Sequence, residues 1–197
     1  MIFEFGQYRI DVDVDRTREF YNNARYISDG CECAGCRNYE KAVDSLPEEV
    51  LQFFDSFGID MKKAAEVWAI MAENDRTVLY NGFYHFCGIL LDNDTQAETC
   101  TEDSNLKLSH WNHNKTYSLS KDYHITIFDQ CGYLLEEGFP SPVLEIEIEA
   151  TIPWVLDEEN SYVNEFERPS SATLKPSIIS RLKKSIKNLL RPTRPHQ

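Results

Sequence analysis

The spacing of apolar and polar positions predicts β-strands near both ends of the main part of the chain. Residues 10–14 alternate isoleucine or valine with aspartate, which is the period of a strand with one buried and one solvated face. Residues 143–153 give the clearest strand, because apolar residues at even positions alternate with Glu145, Glu147 and Glu149. We expect this strand to lie in an antiparallel sheet with its acidic face in solvent.

Between these strands, apolar residues recur at the spacing of helices. Helices are expected over residues 16–26 and 37–46, and residues 45–48 (Ser-Leu-Pro-Glu) have the capping-box spacing that begins another one. That third helix should end at Gly58 in a Schellman motif. Residues 60–71 then place Ala, Val, Trp and Met on one face, and so predict a fourth helix.

Strand signals return at Thr77. Residues 78–91 are rich in apolar and aromatic side chains, with Asn-Gly at 81–82 as a tight turn or a bulge. Residues 92–116 are polar without a clear period and are expected to form a long loop. A further strand is expected over residues 123–128.

These patterns predict an α+β fold, in which an antiparallel β-sheet or sandwich is interrupted by a helical insertion. The predicted domain spans residues 1–167, and its insertion, at about residues 16–73, carries a cluster of cysteines. A linker rich in Ser, Thr and Pro follows at residues 168–176. Residues 177–191 then form a predicted C-terminal amphipathic helix, since their apolar side chains fall within an arc of about 120° and basic side chains occupy the rest.

Charge is unevenly distributed along the chain. The 197 residues carry a net charge of −13, but eight of the twenty basic residues lie from Arg168 onward, where there is no Asp or Glu. Residues 1–167 therefore carry 12 basic and 33 acidic residues, a net charge of −21. This balance favours a basic protein partner and disfavours nucleic acid.

The basic helix at residues 177–191 has the opposite preference. It could make peripheral contact with an anionic membrane, dock into a partner's groove or fold back on the acidic domain. We expect docking or fold-back, because the acidic domain opposes approach to an anionic membrane. The first residues lack the features of a signal peptide and no long apolar run is present, so cytoplasmic localisation is the expectation.

Three cysteines crowd into six residues, at Cys31, Cys33 and Cys36. In a reducing compartment such thiols are expected to be metal ligands or free thiols rather than disulfides, and their spacing would let a loop fold around a zinc ion. Zinc usually takes four ligands, and His85 and Cys87 are the first candidates to complete the set, because they alternate on one face of a predicted strand. The other candidates are Cys100, His110, His113, His124 and Cys131.

Two other interpretations of the cysteine cluster stay open, namely inert thiols and thiol redox chemistry. Cys36 lies near the expected start of a helix and precedes Arg37, and both features would lower its pKa and favour a thiolate. Glu32 and the acidic domain oppose that shift. The chain contains no nucleotide-binding loop, serine-hydrolase elbow or zinc-protease motif.

Residues 29–39, Asp-Gly-Cys-Glu-Cys-Ala-Gly-Cys-Arg-Asn-Tyr, resemble a D-G-C-x-C-x-x-C-R-N-aromatic motif in a family of uncharacterised bacterial proteins. A helix of the pattern L-P-x-x-V-x-x-F-F follows it in that family, here at residues 46–54. The resemblance covers about residues 10–150. It implies a cytosolic bacterial protein and no defined chemistry.

The sequence thus predicts a non-enzymatic cytosolic protein-interaction domain with a structural zinc site at the cysteine turn. The alternative prediction is an enzyme, either a thiol redox protein or a metal-dependent enzyme that uses Cys31, Cys33 and Cys36.

Overall fold

The fold rests on an antiparallel sheet of seven strands, found within the residues that the structure describes. This computed structural model describes residues 1–91, 116–129 and 135–163. The strands are β1 (Ile2–Phe5), β2 (Tyr8–Val12), β3 (Glu66–Asn74), β4 (Thr77–Leu90), β5 (Tyr117–Ser120), β6 (Tyr123–Phe128) and β7 (Val143–Pro153). The helices are α1 (Val14–Asn23), α2 (Ile27–Gly30), α3 (Ala34–Ala42) and α4 (Glu48–Ser56), with 3₁₀ turns at Val43–Ser45 and Met61–Lys63.

β4 lies at the centre of the sheet and has two neighbours along one of its edges. The strand order is β1-β2-β4-β7-β6-β5, and β3 also pairs with β4. β3 pairs with residues 77–83 of β4, whereas β2 pairs with residues 88–90. The other edge of β4 pairs with β7 over almost its whole length.

Helix α1 covers the part of the β4 edge that lies between β3 and β2. The backbone N–H of Asp13 donates to the carbonyl of Cys87 over 2.8 Å. The Cys87 N–H donates in turn to the Thr17 hydroxyl over 2.9 Å, and the Tyr21 hydroxyl donates to the His85 carbonyl over 2.9 Å. These bonds satisfy buried backbone groups of β4 that neither strand reaches.

Helices α3 and α4 pack on one face of the sheet through aromatic rings. The Tyr39 ring from α3 lies 5.3 Å from that of Tyr80, and the Phe54 ring from α4 lies 5.0 Å from that of Tyr84. The hydroxyls of Tyr39 and Tyr84 are 2.5 Å apart, and Tyr84 also donates to the carbonyl of Met61 over 2.9 Å. The buried phenols thus combine a large apolar contact with satisfied hydroxyl groups.

Helix α4 confirms the helix predicted from the Leu-Pro-Glu-Glu segment, including its end. Gly58 has φ +79°, its N–H donates to the carbonyl of Asp55, and the N–H of Ile59 donates to that of Phe54. These two bonds define the expected Schellman motif. The structure gives no side-chain hydrogen bond at the start of this helix, where Pro47 is the cap residue, so the predicted capping box at residues 45–48 is not formed.

Strand β3 occupies residues for which the sequence predicts a helix, and that prediction is wrong. Apolar side chains in a short segment can satisfy either period, and pairing with a distant strand then decides the outcome. Here Glu66 pairs with Phe83 and Asn74 pairs with Thr77, with register shifts between them that relax strict alternation. Asp60 accepts from the N–H of Lys62 and caps only a 3₁₀ turn.

The Asn-Gly pair at residues 81–82 lies inside β4 and forms no turn. A Cβ atom at Gly82 would lie 2.7 Å from both the Glu66 carbonyl and a methyl group of Val67. The glycine is therefore needed for the close approach of β3 to β4.

The α+β class with a large antiparallel sheet is confirmed. The helices lie between β2 and β3, so the helical insertion ends with the turn at Met61–Lys63 and does not extend to residue 73. Met1–Val163 form one compact unit, and the linker and amphipathic helix predicted at residues 168–176 and 177–191 lie outside the described residues. None of the described helices has the length and apolar character needed to traverse a bilayer.

Candidate metal centre

The three clustered cysteines lie where a short helix ends and α3 begins. Cys31 follows α2 with extended backbone angles. Cys33 is the N-cap residue of α3, and its sulfur accepts a hydrogen bond from the backbone N–H of Cys36 over 3.4 Å. A sulfur here takes the place of the oxygen that usually caps a helix. The N-terminal turn of α3 therefore points its N–H groups at the sulfur of Cys33.

The sulfur atoms of these three cysteines all lie within 4.8 Å of one another. Around a tetrahedral zinc ion with Zn–S bonds of about 2.3 Å, sulfur atoms lie about 3.8 Å apart. Small side-chain movements would therefore close the trio on a metal. Cys31 and Cys33 are exposed, whereas Cys36 is buried with 7% exposure, so a bound ion would lie at the surface with one open coordination position.

The cysteine loop is fixed to the sheet through the first turns of α3. The Tyr80 hydroxyl donates to the carbonyl of Gly35 over 3.0 Å. The side-chain amide of Asn38 donates to the Pro153 carbonyl over 3.0 Å and accepts from the N–H of Val155 over 2.7 Å. Asn38 is fully buried, so these bonds hold α3 against the end of β7 without leaving polar groups unsatisfied.

The electrostatics of the trio differ from the expectation for Cys36. Burial, followed by hydrogen bonding to the other two thiols, raises the pKa of Cys36 rather than lowering it. Burial also acts to raise the pKa of Cys33, but hydrogen bonds from the Cys36 N–H and from the Cys31 thiol outweigh it and lower that pKa. The thiolate favoured by the helix N-terminus is therefore Cys33, because the cap position rather than the third helical position accepts the N–H bond.

The structure does not bring His85 and Cys87 to the cysteine cluster. Among the described residues, the group that could hold a metal consists of Cys31, Cys33 and Cys36 alone. The cluster contacts β4 at Tyr80, and His85 lies five residues further along that strand, which corresponds to about 16 Å. Cys87 is buried beside α1, and burial raises the pKa of its thiol.

His85 instead lies between two carboxylates. Its side chain has no exposed surface, and its Nδ1 and Nε2 atoms are 2.5 Å from Glu136 and 3.1 Å from Glu145. Burial acts to lower the pKa of His85, but the hydrogen bonds to Glu136 and Glu145 outweigh it and raise the pKa to about 9. The ring is thus a buried imidazolium that compensates these two acids.

Glu145 accordingly corrects the expectation of a solvated acidic face on β7, because its exposure is only 5%. The alternation of residues in the strand correctly predicts that Glu145 lies on the face opposite Leu144. It does not predict that Glu145 pairs with His85. Glu145 and His85 are direct cross-strand partners in the register of β4 and β7. A histidine in one predicted strand and a glutamate in another were the only sequence signals for this pair.

Among the remaining candidate ligands, the described residues include His124 alone, and it gives no fourth group. His124 lies in β6, and its Nδ1 is 2.9 Å from the Ser118 hydroxyl. The other four candidates lie outside the described residues: Cys100, His110, His113 and Cys131.

Comparison of the chain with family models, curated proteins and solved structures finds no significant match. Three thiols of this spacing can hold a soft metal ion, and an exposed thiolate beside a buried thiol can exchange disulfides.

Proposed function

We propose that the protein is a non-enzymatic interaction domain whose cysteine loop holds a structural zinc ion. The observation that supports zinc binding is the convergence of three sulfur atoms within 4.8 Å on a loop that buried hydrogen bonds fix to the sheet. Thiolate ligands suit zinc, and the hydrogen bonds that lower the pKa of Cys33 favour its thiolate form. The fourth position is left to water, another part of the chain or a partner.

Zinc at this position would act on the segment that joins α2 to α3. α2 is only four residues long and buries none of its residues, so it has little packing of its own. Ligands on both sides of the loop, at Cys31 and Cys36, would tie α2 to the anchored start of α3. The proposed ion therefore stabilises a weakly packed surface segment rather than completing a catalytic site.

The acidic composition supports a basic protein as the partner. Residues 1–167 carry a net charge of −21, which attracts basic surfaces and repels nucleic acid. A cytoplasmic location, and the resemblance of residues 29–39 to a bacterial motif, belong to the same proposal.

Metal analysis of protein purified without added zinc tests the metal half of the proposal. We expect about one zinc per chain, and its release at acid pH should consume protons because the thiolate ligands become protonated. Cys31→Ser should lose the metal, and Cys87→Ser, a matched change at a cysteine outside the cluster, should keep it. Wild-type protein that takes up no zinc even after incubation with excess zinc would contradict the proposal.

One observation favours a second candidate, a thiol redox protein. Exposed Cys33 has a lowered pKa and lies three residues before buried Cys36, whose pKa is raised. In such a pair the exposed thiolate attacks a disulfide and the buried thiol resolves the mixed disulfide. Metal-free protein equilibrated with oxidised and reduced glutathione would then lose two alkylatable thiols in wild type and keep them in Cys33→Ser. Retention of all thiols in wild type would exclude this function.

A further inference from the structure

The sheet face that points away from α3 and α4 carries a row of side chains, one of which has a hydrogen-bond acceptor without a donor. Trp68 of β3, Asn81 of β4 and Glu149 of β7 are consecutive cross-strand partners, so their side chains stand side by side on this face. Tyr80 and Tyr84 of β4 point to the opposite face, where they meet the helices. The row is therefore separated from the cysteine loop by the thickness of the sheet.

Asn81 is the centre of this row and lacks a hydrogen-bond donor. Its Oδ1 atom is buried, and it is the one buried side-chain oxygen or nitrogen without a partner that the described part of the chain contains. A buried carbonyl oxygen without a donor costs free energy, because it has lost its hydrogen bonds to water and gained none in the protein. An N–H group from a ligand that enters beside Asn81 would remove that penalty.

The residues around Asn81 favour a ligand whose hydrogen-bond donor carries a positive charge. Glu149 on one side and Glu66 one pair further along β3 make no ion pair in the described structure, and burial raises the pKa of the Glu66 carboxyl. On the other side of Asn81 lies Trp68, which is 41% exposed. A carboxylate, an unfilled amide oxygen and an exposed indole ring together fit a positive charge that carries several N–H groups.

We propose that the corner formed by Glu66, Trp68, Asn81 and Glu149 binds an arginine side chain of a basic protein partner. The inference rests on the proposed function, since it gives the expected basic partner a specific surface. Charge complementarity supports this assignment: residues 1–167 have a net charge of −21, and neither Glu66 nor Glu149 forms an ion pair with another described residue. Arginine fits better than lysine, because its planar group can stack on Trp68 while separate N–H groups reach Asn81 and Glu149.

The histidine on the far side of the row makes no ion pair with Glu149 in the described structure. His124 is the cross-strand partner of Glu149, and its Nδ1 is hydrogen-bonded to the Ser118 hydroxyl instead. The buried imidazolium of His85 is likewise occupied by Glu136 and Glu145. The proposed corner therefore keeps its negative character when the neighbouring groups are taken into account.

Peptide binding to the full-length protein tests the inference. The probe is a fluorescein-labelled, terminally blocked peptide of alternating Arg and Gly. A peptide with Lys in place of Arg serves as the comparison, and binding of each is measured by fluorescence anisotropy. We expect Glu66→Gln/Glu149→Gln to weaken the arginine peptide at least ~10-fold. Glu48→Gln/Glu49→Gln removes the same charge from exposed positions on α4 and should change the affinity less than ~2-fold.

Trp68→Ala distinguishes a built site from general attraction, because it alters no charge. We expect it to weaken the arginine peptide more than the lysine peptide, since the loss of stacking affects the planar group most. Equal weakening by the two double variants, or no effect of Trp68→Ala in a protein with a normal unfolding curve, would overturn the inference while the basic partner stands. If wild type binds neither peptide, the partner half of the proposed function fails too, and zinc content measured on the same sample is independent of that result.

Discussion

The buried His85 cluster allows the stability of this protein to be predicted as a function of pH. Replacing His85 with leucine removes the positive charge between Glu136 and Glu145 and keeps a side chain of similar bulk. Glu145 has 7% side-chain exposure and cannot regain water, whereas Glu136 has 25% and can turn partly outward. The variant therefore keeps a buried carboxylate that has lost the positive charge of His85, and removing one member of a buried pair is costly.

Two routes give a similar magnitude for this loss. The pKa of His85 rises from 6.5 to about 9 on folding, and a shift of that size corresponds to about 3 kcal/mol of stability. Removal of one member of a buried ion pair typically costs about 3–5 kcal/mol. We therefore expect His85→Leu to lower the free energy of unfolding by about 3 kcal/mol at pH 6, which is a large part of the stability of a typical domain.

The pH dependence has a definite sign. Because the pKa of His85 is higher in the folded state, its contribution is fully present below about pH 6.5 and is lost as the pH rises through about 9. Urea unfolding of wild type and His85→Leu at several values between about pH 6 and pH 9.5 gives the difference at each pH. Buried tyrosines such as Tyr39, whose pKa burial raises to about 12, affect both proteins alike and cancel in that difference.

A constant difference in unfolding free energy across this range would refute a charged His85. A second variant separates charge from packing. Glu145→Gln removes the negative charge that faces His85, so we expect His85→Leu to cost less in the Glu145→Gln background than alone. Additive effects of the two changes would show that these side chains do not interact as the structure places them.

Three further predictions concern the cysteines and the glycines. Iodoacetamide should modify Cys33 before Cys36, as peptide mapping after short exposure would reveal, because Cys33 is exposed with a lowered pKa. A zinc chelator should lower the thermal unfolding midpoint of wild type and leave that of Cys31→Ser unchanged. Gly82→Ala should lower the free energy of unfolding by about 2–3 kcal/mol, as measured with urea, because the added methyl group would push β3 away from β4. Gly30→Ala, which has open space around it, should change that free energy by less than about 0.5 kcal/mol.

The sequence predicts the part of the candidate site whose residues are close together in the chain. Cys31, Cys33 and Cys36 are near neighbours in the chain, so a turn before a helix suffices to bring their sulfurs together. His85 and Cys87 depended on strand pairing, which sequence spacing does not reveal. Their alternation on β4 was inferred correctly, but the strand carries them away from the loop and towards β7 and α1.

The pKa values within the trio were predicted less well, for a related reason. The sequence places Cys36 in the first turn of a helix, where the dipole favours a thiolate. It does not reveal that Cys36 is buried while Cys33 stays exposed at the cap position. Burial raises the pKa of Cys36, whereas hydrogen bonds from the Cys36 N–H and the neighbouring thiols lower the pKa of Cys33 despite its partial burial.

The wrong prediction for β3 also affects the predicted surroundings of residues outside this strand. With a helix over residues 60–71, one edge of β4 would lack a neighbour along residues 77–83, and Trp68 would have no fixed relation to Asn81. As a strand, β3 turns Ala69 towards the α3 side, where its Cβ lies 3.2 Å from the position of a Cβ on Gly35, and turns Trp68 to the opposite face. The same strand therefore borders the cysteine loop on one side and the proposed arginine site on the other. Neither neighbourhood is visible until the pairing of β3 with β4 is known, because local periodicity gave no reason to choose a strand.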